Sequence, residues 1–216
     1  MSHFVEWVAT GFTVAMFVSG LSVVKQLKTG GAGIKQLSPL PAFATLVNTV
    51  LWCKYGLRNQ DVPMVLVNTF GALTSSALAY AHYHYTPHTT RVEKLGLYTA
   101  LLLVAVLGYV NYLAPVDKAT MILGWCCCLG AVVMFGSPLA AMNTVVTSRS
   151  TFALSFPLSL TSFGTSASWA WYGYDISDSF VFAPNFAGAI LAAVQLAMFV
   201  IYRNRNDPYT SVSIAP

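Results

Sequence analysis

Two asparagines, Asn68 and Asn185, each follow an aspartate by seven residues and a tryptophan by sixteen. A side-chain amide offers two donors and two acceptor sites without charge. The tryptophans, Trp52 and Trp169, offer flat apolar faces. Two amides and two indoles suit a neutral ligand rich in hydroxyl groups. One asparagine alone is as well explained by a helix–helix hydrogen bond, so the symmetric pairing carries the prediction of a binding site.

The same residues belong to an internal repeat. "LWCKYGLRNQDVPMVLVNTFG" (51–71) and "SWAWYGYDISDSFVFAPNFAG" (168–188) share W-x-x-Y-G, an aspartate and N-x-x-G, all 117 residues apart. Upstream, Pro41 and Pro157 lie 116 apart, and we expect a loop or bend to absorb the difference. Six matches in one register indicate a duplication.

Asn48 and Thr165 also correspond across the 117-residue offset. Each lies four residues before its tryptophan, so it shares that face of the helix.

The elements that must position these residues are membrane helices. The chain has 216 residues, of which 56% are hydrophobic and 8% charged, and its mean hydropathy is +0.63. Soluble domains carry about 25% charged residues, and a bilayer span needs about 20 apolar ones. We predict an all-α integral membrane protein with seven transmembrane helices, at about 4–26, 39–57, 63–82, 95–114, 120–143, 154–173 and 180–202.

The repeat explains the odd number of spans. Two three-helix units joined directly would point in opposite directions, and one extra helix makes them parallel. We therefore predict a 3+1+3 plan: a first repeat (1–82), an inner loop and inversion linker helix (83–119), a second repeat (120–202) and a cytosolic tail (203–216). Carriers built from such repeats bind their ligand between the halves.

Basic residues set the orientation. With the N-terminus outside, the inner segments hold eight of them, Lys25, Lys28, Lys35, Arg91, Lys94, Arg149, Arg203 and Arg205, and the outer segments hold three, Lys54, Arg58 and Lys118. We predict the N-terminus outside and the C-terminus in the cytosol. A net charge of +4 is too small and scattered to indicate a nucleic-acid partner.

The doubled W-x-x-Y-G…D…N-x-x-G pattern, the 3+1+3 plan and the stretches "SPL" and "SFPLSL" resemble the SWEET family of sugar transporters. The resemblance runs from about Gly11 to Asn204 and is closest to the animal branch. It implies a substrate pocket formed by Asn68, Asn185, Trp52, Trp169, Asn48 and Thr165. It also implies an outer gate at Tyr55 and Asp178, with Tyr172, Asp61 and Pro184 nearby. Inner hinge prolines match at Pro41, Pro138 and Pro157, whereas Gly20 replaces the first one.

No acidic or basic residue is placed at mid-bilayer by these spans, and the histidines His82, His84 and His88 are expected in a solvated inner segment. Proton-coupled carriers use buried carboxylates or histidines, so we expect a facilitative, bidirectional sugar uniporter, for a monosaccharide such as glucose, working by alternating access. We expect no cofactor, metal or catalytic residue. The four cysteines, Cys53 and Cys126 to Cys128, are read as apolar packing residues.

Other functions remain as alternatives. A retinal protein would need a lysine in the last span, and an intramembrane enzyme would need a buried catalytic pair; the predicted spans offer neither. A PQ-loop-like carrier for another small neutral solute and a non-transporting membrane scaffold stay open. The partners expected are a small neutral sugar and the lipid bilayer, and assembly into a homo-oligomer is left open. The plasma membrane is the expected location, with the Golgi or another endomembrane as the alternative.

Overall fold

The computed structural model describes residues 2–29, 37–86 and 89–202, and these contain helices but no strand. The helices are α1 (Ser2–Gly20), α2 (Ser22–Thr29), α3 (Leu40–Asn59), α4 (Val62–Tyr85), α5 (Thr89–Gly108), α6 (Ala119–Met134), α7 (Gly136–Ser148), α8 (Phe156–Asp175) and α9 (Ser179–Ile201). A π-helical turn, Tyr109–Leu113, extends α5, and a 3-10 turn, Thr151–Ala153, precedes α8. The predicted tail (203–216) lies outside the described residues.

Since α1 continues into α2 and α6 into α7, the helices form seven segments, as the sequence predicts. Five of them are long and apolar enough to cross a membrane: Glu6–Thr29, Val62–Tyr85, Thr89–Leu113, Ala119–Ser148 and Ser179–Ile201. The other two are less apolar, since α3 carries Lys54, Arg58 and two asparagines and α8 carries six serine or threonine residues and Asp175. The all-α fold class is confirmed.

The helix pairs α3–α4 and α8–α9 are joined by the same turn. Gln60 and Ser177, 117 residues apart, both adopt the left-handed conformation, with φ of 57° and 56°. The amide of the following aspartate donates to a glycine carbonyl five residues back, Gly56 at 2.9 Å and Gly173 at 2.8 Å. These bonds satisfy carbonyls that the helix end leaves free. The duplication is therefore visible in backbone geometry.

Glycine in the W-x-x-Y-G motif permits the two helices of each pair to approach closely. A Cβ added to Gly173 would lie 2.5 Å from the backbone nitrogen of Phe182, closer than a real Cβ can lie. At Gly56 the nearest atom would be in the Val65 side chain, at 3.1 Å. Thus α8 and α9 approach each other more tightly than their counterparts in the first repeat.

A second repeated contact joins the three spans of each repeat. It consists of Phe17, Thr49 and Gly71 in the first repeat and of Phe135, Ser166 and Gly188 in the second. A Cβ on Gly71 would lie 2.5 Å from the Phe17 ring, and one on Gly188 would lie 2.9 Å from the Ser166 hydroxyl. Both glycines are required by close packing of neighbouring helices.

The first span of each repeat is interrupted. Leu21 separates α1 from α2, and Phe135 separates α6 from α7. Pro138 accounts for the second break, because it has no N–H to bond the carbonyl of Met134. The amide of Phe135 turns instead to Val132, three residues back, at 3.1 Å.

The one-residue offset between the prolines and the tryptophans is not absorbed by a loop or bend, so that expectation is wrong. Pro41 is the second residue of α3 and Pro157 the second residue of α8, and both helices run unbroken past their tryptophans. Eleven residues separate proline from tryptophan in α3, and twelve separate them in α8. The extra residue therefore lies within a continuous helix.

The chain divides into two compact units. One consists of Thr13–Ala131, and the other of Met1–Phe12 together with Val132–Pro216. The first part of α6 thus packs with the predicted first repeat, and the start of α1 packs with the predicted second repeat. The division of the chain into two repeats, a linker and a tail at the residues given above stays a prediction.

Candidate ligand-binding site

The two asparagines are held in the same way in both repeats. The amide of Asn68 donates to the carbonyl of Met64 at 2.9 Å, and the amide of Asn185 donates to Val181 at 2.8 Å. Both side chains are half-buried. This bond fixes the plane of each amide through its own helix and engages only one of its donors. The amide oxygen and the second N–H take no part in this bond, so both can serve a ligand.

Each tryptophan packs against the tyrosine of its motif. Trp52 and Tyr55 have ring centroids 5.6 Å apart at 80°, and Trp169 and Tyr172 have centroids 5.5 Å apart at 82°. Edge-to-face pairs of this kind stabilise a fixed ring orientation. All four side chains are buried, with Trp52 8% and Trp169 7% exposed. The sequence pairing of these residues thus corresponds to a repeated local geometry.

Two further oxygens are buried without a hydrogen-bond partner, Oδ1 of Asn48 and Oγ1 of Thr165. Only two other side-chain atoms in the described part of the chain share this property, in Thr10 and His82. Leaving a buried polar atom unpaired costs about 1–3 kcal/mol. Because Asn48 and Thr165 occupy equivalent positions, both repeats present an oxygen that a ligand hydroxyl can satisfy.

Gly130 of α6 is a further candidate for the site, and the sequence alone does not indicate it. A Cβ placed there would lie 3.2 Å from Oδ1 of Asn48. The missing side chain therefore keeps the space beside this unpaired oxygen open. No sequence pattern points to Gly130, because it lies outside the two matched stretches, 51–71 and 168–188, shortly after the run of three cysteines.

The predicted outer-gate aspartates cap helices. One carboxylate oxygen of Asp61 accepts from the amide of Met64 at 2.9 Å. In the second repeat, Asp178 accepts from Phe180 at 2.9 Å and from Val181 at 3.2 Å. An N-cap aspartate stabilises its helix by about 1 kcal/mol. A structural role therefore accompanies any gating role, which stays a prediction.

The remaining predicted gate residues are buried. Tyr55 and Tyr172 are 3% and 4% exposed, and Pro184 is buried within α9. The side chains of both tyrosines are therefore packed inside the protein and not exposed to solvent.

The four hinge candidates fall in two kinds of position. Pro41 and Pro157 lie in the first turns of α3 and α8, where a missing N–H leaves no helical bond unmade. Gly20 ends α1 just before the break at Leu21, and Pro138 lies three residues after the break at Phe135. Gly20 and Pro138 thus adjoin interruptions, and the hinge role of all four stays a prediction.

The histidine prediction is partly wrong. His82 is 2% exposed near the end of α4, with Nδ1 unpartnered. His84 is exposed and stacks on Tyr80, and His88 lies outside the described residues. Packing of α4 against neighbouring helices buries one face of its last turn, which sequence position does not reveal. Within the described residues, no three His, Cys, Asp or Glu side chains come together to hold a metal ion.

The sequence profile of a family described as "Sugar efflux transporter for intercellular exchange" matches residues 3–90 and 121–207, one match for each repeat. The chain is 33% identical over 200 residues to the human sugar transporter SWEET1, covering 91% of this chain and 89% of that one. The chain belongs to the SWEET family of sugar transporters. The relative from Drosophila pseudoobscura pseudoobscura, also a sugar transporter SWEET1, is 33% identical, with 90% and 86% coverage.

A solved structure of a eukaryotic SWEET transporter superposes on this SWEET-family chain with a TM-score of 0.87 at 26% identity, covering 94% of this chain and 97% of the other. The predicted seven-helix, 3+1+3 architecture agrees with this match, and the family assignment is confirmed. The relatives are transporters, so this SWEET-family chain is a membrane-embedded sugar transporter and not an enzyme.

Proposed function

We propose that the protein is a facilitative, bidirectional uniporter of a monosaccharide such as glucose, working by alternating access. The observation that carries this proposal is the repeated set of an anchored amide, an oriented indole and an unpaired buried oxygen. An amide can donate to one sugar hydroxyl and accept from another, while an indole covers the apolar C–H face of the ring. Each repeat supplies such a set.

The size of Asn48 supports a monosaccharide. Its side chain is larger than a serine and ends in the unpaired oxygen beside Gly130. A ligand that uses this oxygen must leave room for the whole amide group. A single sugar ring meets that requirement more readily than two linked rings.

The placement of carboxylates supports uncoupled transport. Asp61 and Asp178 cap helices, Asp175 ends α8, and Glu93 and Glu6 lie in the first two turns of α5 and α1. These positions are near helix ends, where charge can reach water, and the buried His82 also lies in the last turn of its helix, α4. A proton relay in the middle of the bilayer would need an ionisable group at depth.

We also propose that the carrier lies in the plasma membrane or the Golgi with its N-terminus outside and its C-terminus in the cytosol, and the excess of basic residues in the predicted inner segments supports this orientation. Of the inner basic residues, Lys35, Arg203 and Arg205 lie outside the described residues. Epitope tags at each terminus, probed in intact and permeabilised cells, measure this orientation. Detection of the N-terminal tag only after permeabilisation would contradict it.

Uptake of labelled glucose, fructose and sucrose by cells that lack their own sugar transporters tests the function. We expect glucose uptake that equilibrates without accumulation and is insensitive to a proton uncoupler. Asn185→Ala removes an amide that makes about two hydrogen bonds to the sugar. At about 1 kcal/mol for each bond, uptake should fall about tenfold or more.

Asn111→Ala is the matched control, since Asn111 is an exposed amide in the middle of the π-helical turn. It should transport like the unmodified protein. Normal uptake by well-expressed Asn185→Ala would exclude this residue from the site. Accumulation of sugar driven by a proton gradient would refute uniport.

A further inference from the structure

A long-range hydrogen bond joins the two repeats at the outer ends of two helices. Nε of Arg58 donates to Oγ1 of Thr120 at 2.9 Å, across 62 residues of sequence. Arg58 lies in the last turn of α3, and Thr120 is the second residue of α6. Because successive spans alternate in direction, these two helix ends lie on the same side of the membrane.

Arg58 lies within the predicted outer gate. It follows Tyr55 by three residues and precedes Asp61 by three, so it shares a helix face with Tyr55. Its side chain is half-buried, as is that of Thr120. The residue 117 positions after Arg58 is Asp175, which is exposed. Asp175 cannot donate such a bond, so the contact made by Arg58 has no counterpart at the end of α8, whereas the asparagine, tryptophan and glycine contacts occur in both repeats.

The start of α6 is packed beside this bond. Ala119, Leu123 and Cys127 recur every four residues along one face of the helix and are 0–1% exposed. They belong to the compact unit Thr13–Ala131, which also contains α3. However, α6 continues through Phe135 into α7, which belongs to the other unit. The helix that carries Thr120 therefore continues out of the compact unit that holds the bond and into the rest of the predicted second repeat.

We propose that Arg58 is an outer gating residue whose bond to Thr120 holds the outer ends of α3 and α6 together and breaks when that side opens. A hydrogen bond from a guanidinium is directional and stronger than one between neutral groups. It stabilises one conformation without preventing its exchange with another. The inference rests on the alternating-access mechanism proposed above.

A reversible crosslink tests this gate. In a transport-competent background with the four native cysteines replaced by alanine, Arg58→Cys with Thr120→Cys provides two thiols for a short bifunctional methanethiosulfonate reagent. We expect crosslinking to reduce glucose transport at least about tenfold and reduction by dithiothreitol to restore it. The two single-cysteine variants should be unaffected by the reagent. Transport that persists in fully crosslinked protein would overturn the proposal.

A crosslink within one repeat is the matched control. Sγ of Cys53 in α3 lies 3.4 Å from Oγ1 of Thr69 in α4. Thr69→Cys in a background that keeps Cys53 therefore places two thiols together inside the first repeat. Crosslinking there should leave transport intact. Sugar transport before crosslinking tests the proposed function, whereas the change caused by crosslinking tests the gate, so the two can fail separately.

Kinetics give a second test that does not depend on the crosslink. Thr120→Val removes the acceptor with little change of shape, and Thr120→Ser retains it. Loss of one charge-assisted bond should lower the KM for sugar on the Arg58 side about tenfold and raise the KM on the opposite side. Thr120→Ser should behave like the unmodified protein. A simple loss of stability does not move the two KM values in opposite directions, so unchanged or parallel values would refute the gate.

Discussion

Gly130→Ala separates the effect of a substitution on the binding site from its effect on stability. In a helix interior, alanine is favoured over glycine by about 1 kcal/mol. The added Cβ would lie 3.2 Å from Oδ1 of Asn48, so this amide must move by a few tenths of an ångström. The unfolding free energy should therefore stay the same or rise slightly.

Transport should nevertheless weaken in Gly130→Ala. The new methyl group occupies the space beside the unpaired oxygen of Asn48, where a sugar hydroxyl is proposed to bind. Loss of one hydrogen bond of about 1 kcal/mol raises the KM for glucose about fivefold. The measurement is uptake kinetics at matched surface expression, together with the thermal unfolding midpoint of the purified protein in detergent.

Two comparisons make this prediction specific. Gly11→Ala is the control, because no heavy atom lies within 4 Å of a Cβ at that position of α1; its KM should not change. If the methyl group acts through Asn48, then Gly130→Ala should have little further effect in an Asn48→Ala background. An unchanged KM in Gly130→Ala, or an equal effect in both backgrounds, would refute the reasoning.

Two further substitutions test the helix pairs and the interrupted spans. Gly173→Ala places a Cβ 2.5 Å from a backbone nitrogen of α9, whereas Gly56→Ala meets only side-chain atoms at 3.1–3.2 Å. Overpacking strain should lower the unfolding free energy of Gly173→Ala by about 1–3 kcal/mol. Its thermal unfolding midpoint should therefore fall clearly more than that of Gly56→Ala, and equal midpoints in the two variants would be contrary evidence. Pro138→Ala restores a donor for the carbonyl of Met134 and should make α6 and α7 one helix. We expect greater thermal stability and a lower maximal transport rate, and an unchanged rate would show that the break at Phe135 serves no conformational step.

Features that depend on one helix or one turn could be predicted from the sequence. The 117-residue offset paired Asn68 with Asn185, and each proves to bond the carbonyl four residues before it. The aspartates that precede α4 and α9 cap those helices for the same local reason. Identical short stretches impose identical local geometry, so alignment of the sequence with itself was sufficient.

Features that depend on lateral packing could not be predicted in this way. Gly130 lies 82 residues from Asn48, and Thr120 lies 62 residues from Arg58, so no sequence period relates them. His82 looks like a loop residue because tyrosine and histidine surround it, yet packing against other helices buries it. Hydropathy identifies the spans but contains no information about which faces of different spans meet.

The step from Pro157 to Trp169 in α8 is one residue longer than the step from Pro41 to Trp52 in α3, so the two repeats are not fully equivalent. Each residue of an α-helix turns the chain by about 100°. A rotation that superposes Trp52 on Trp169 therefore leaves Pro41 and Pro157 about 100° apart around their helix axes. The duplicated halves are equivalent at their tryptophan ends and inequivalent at their proline ends.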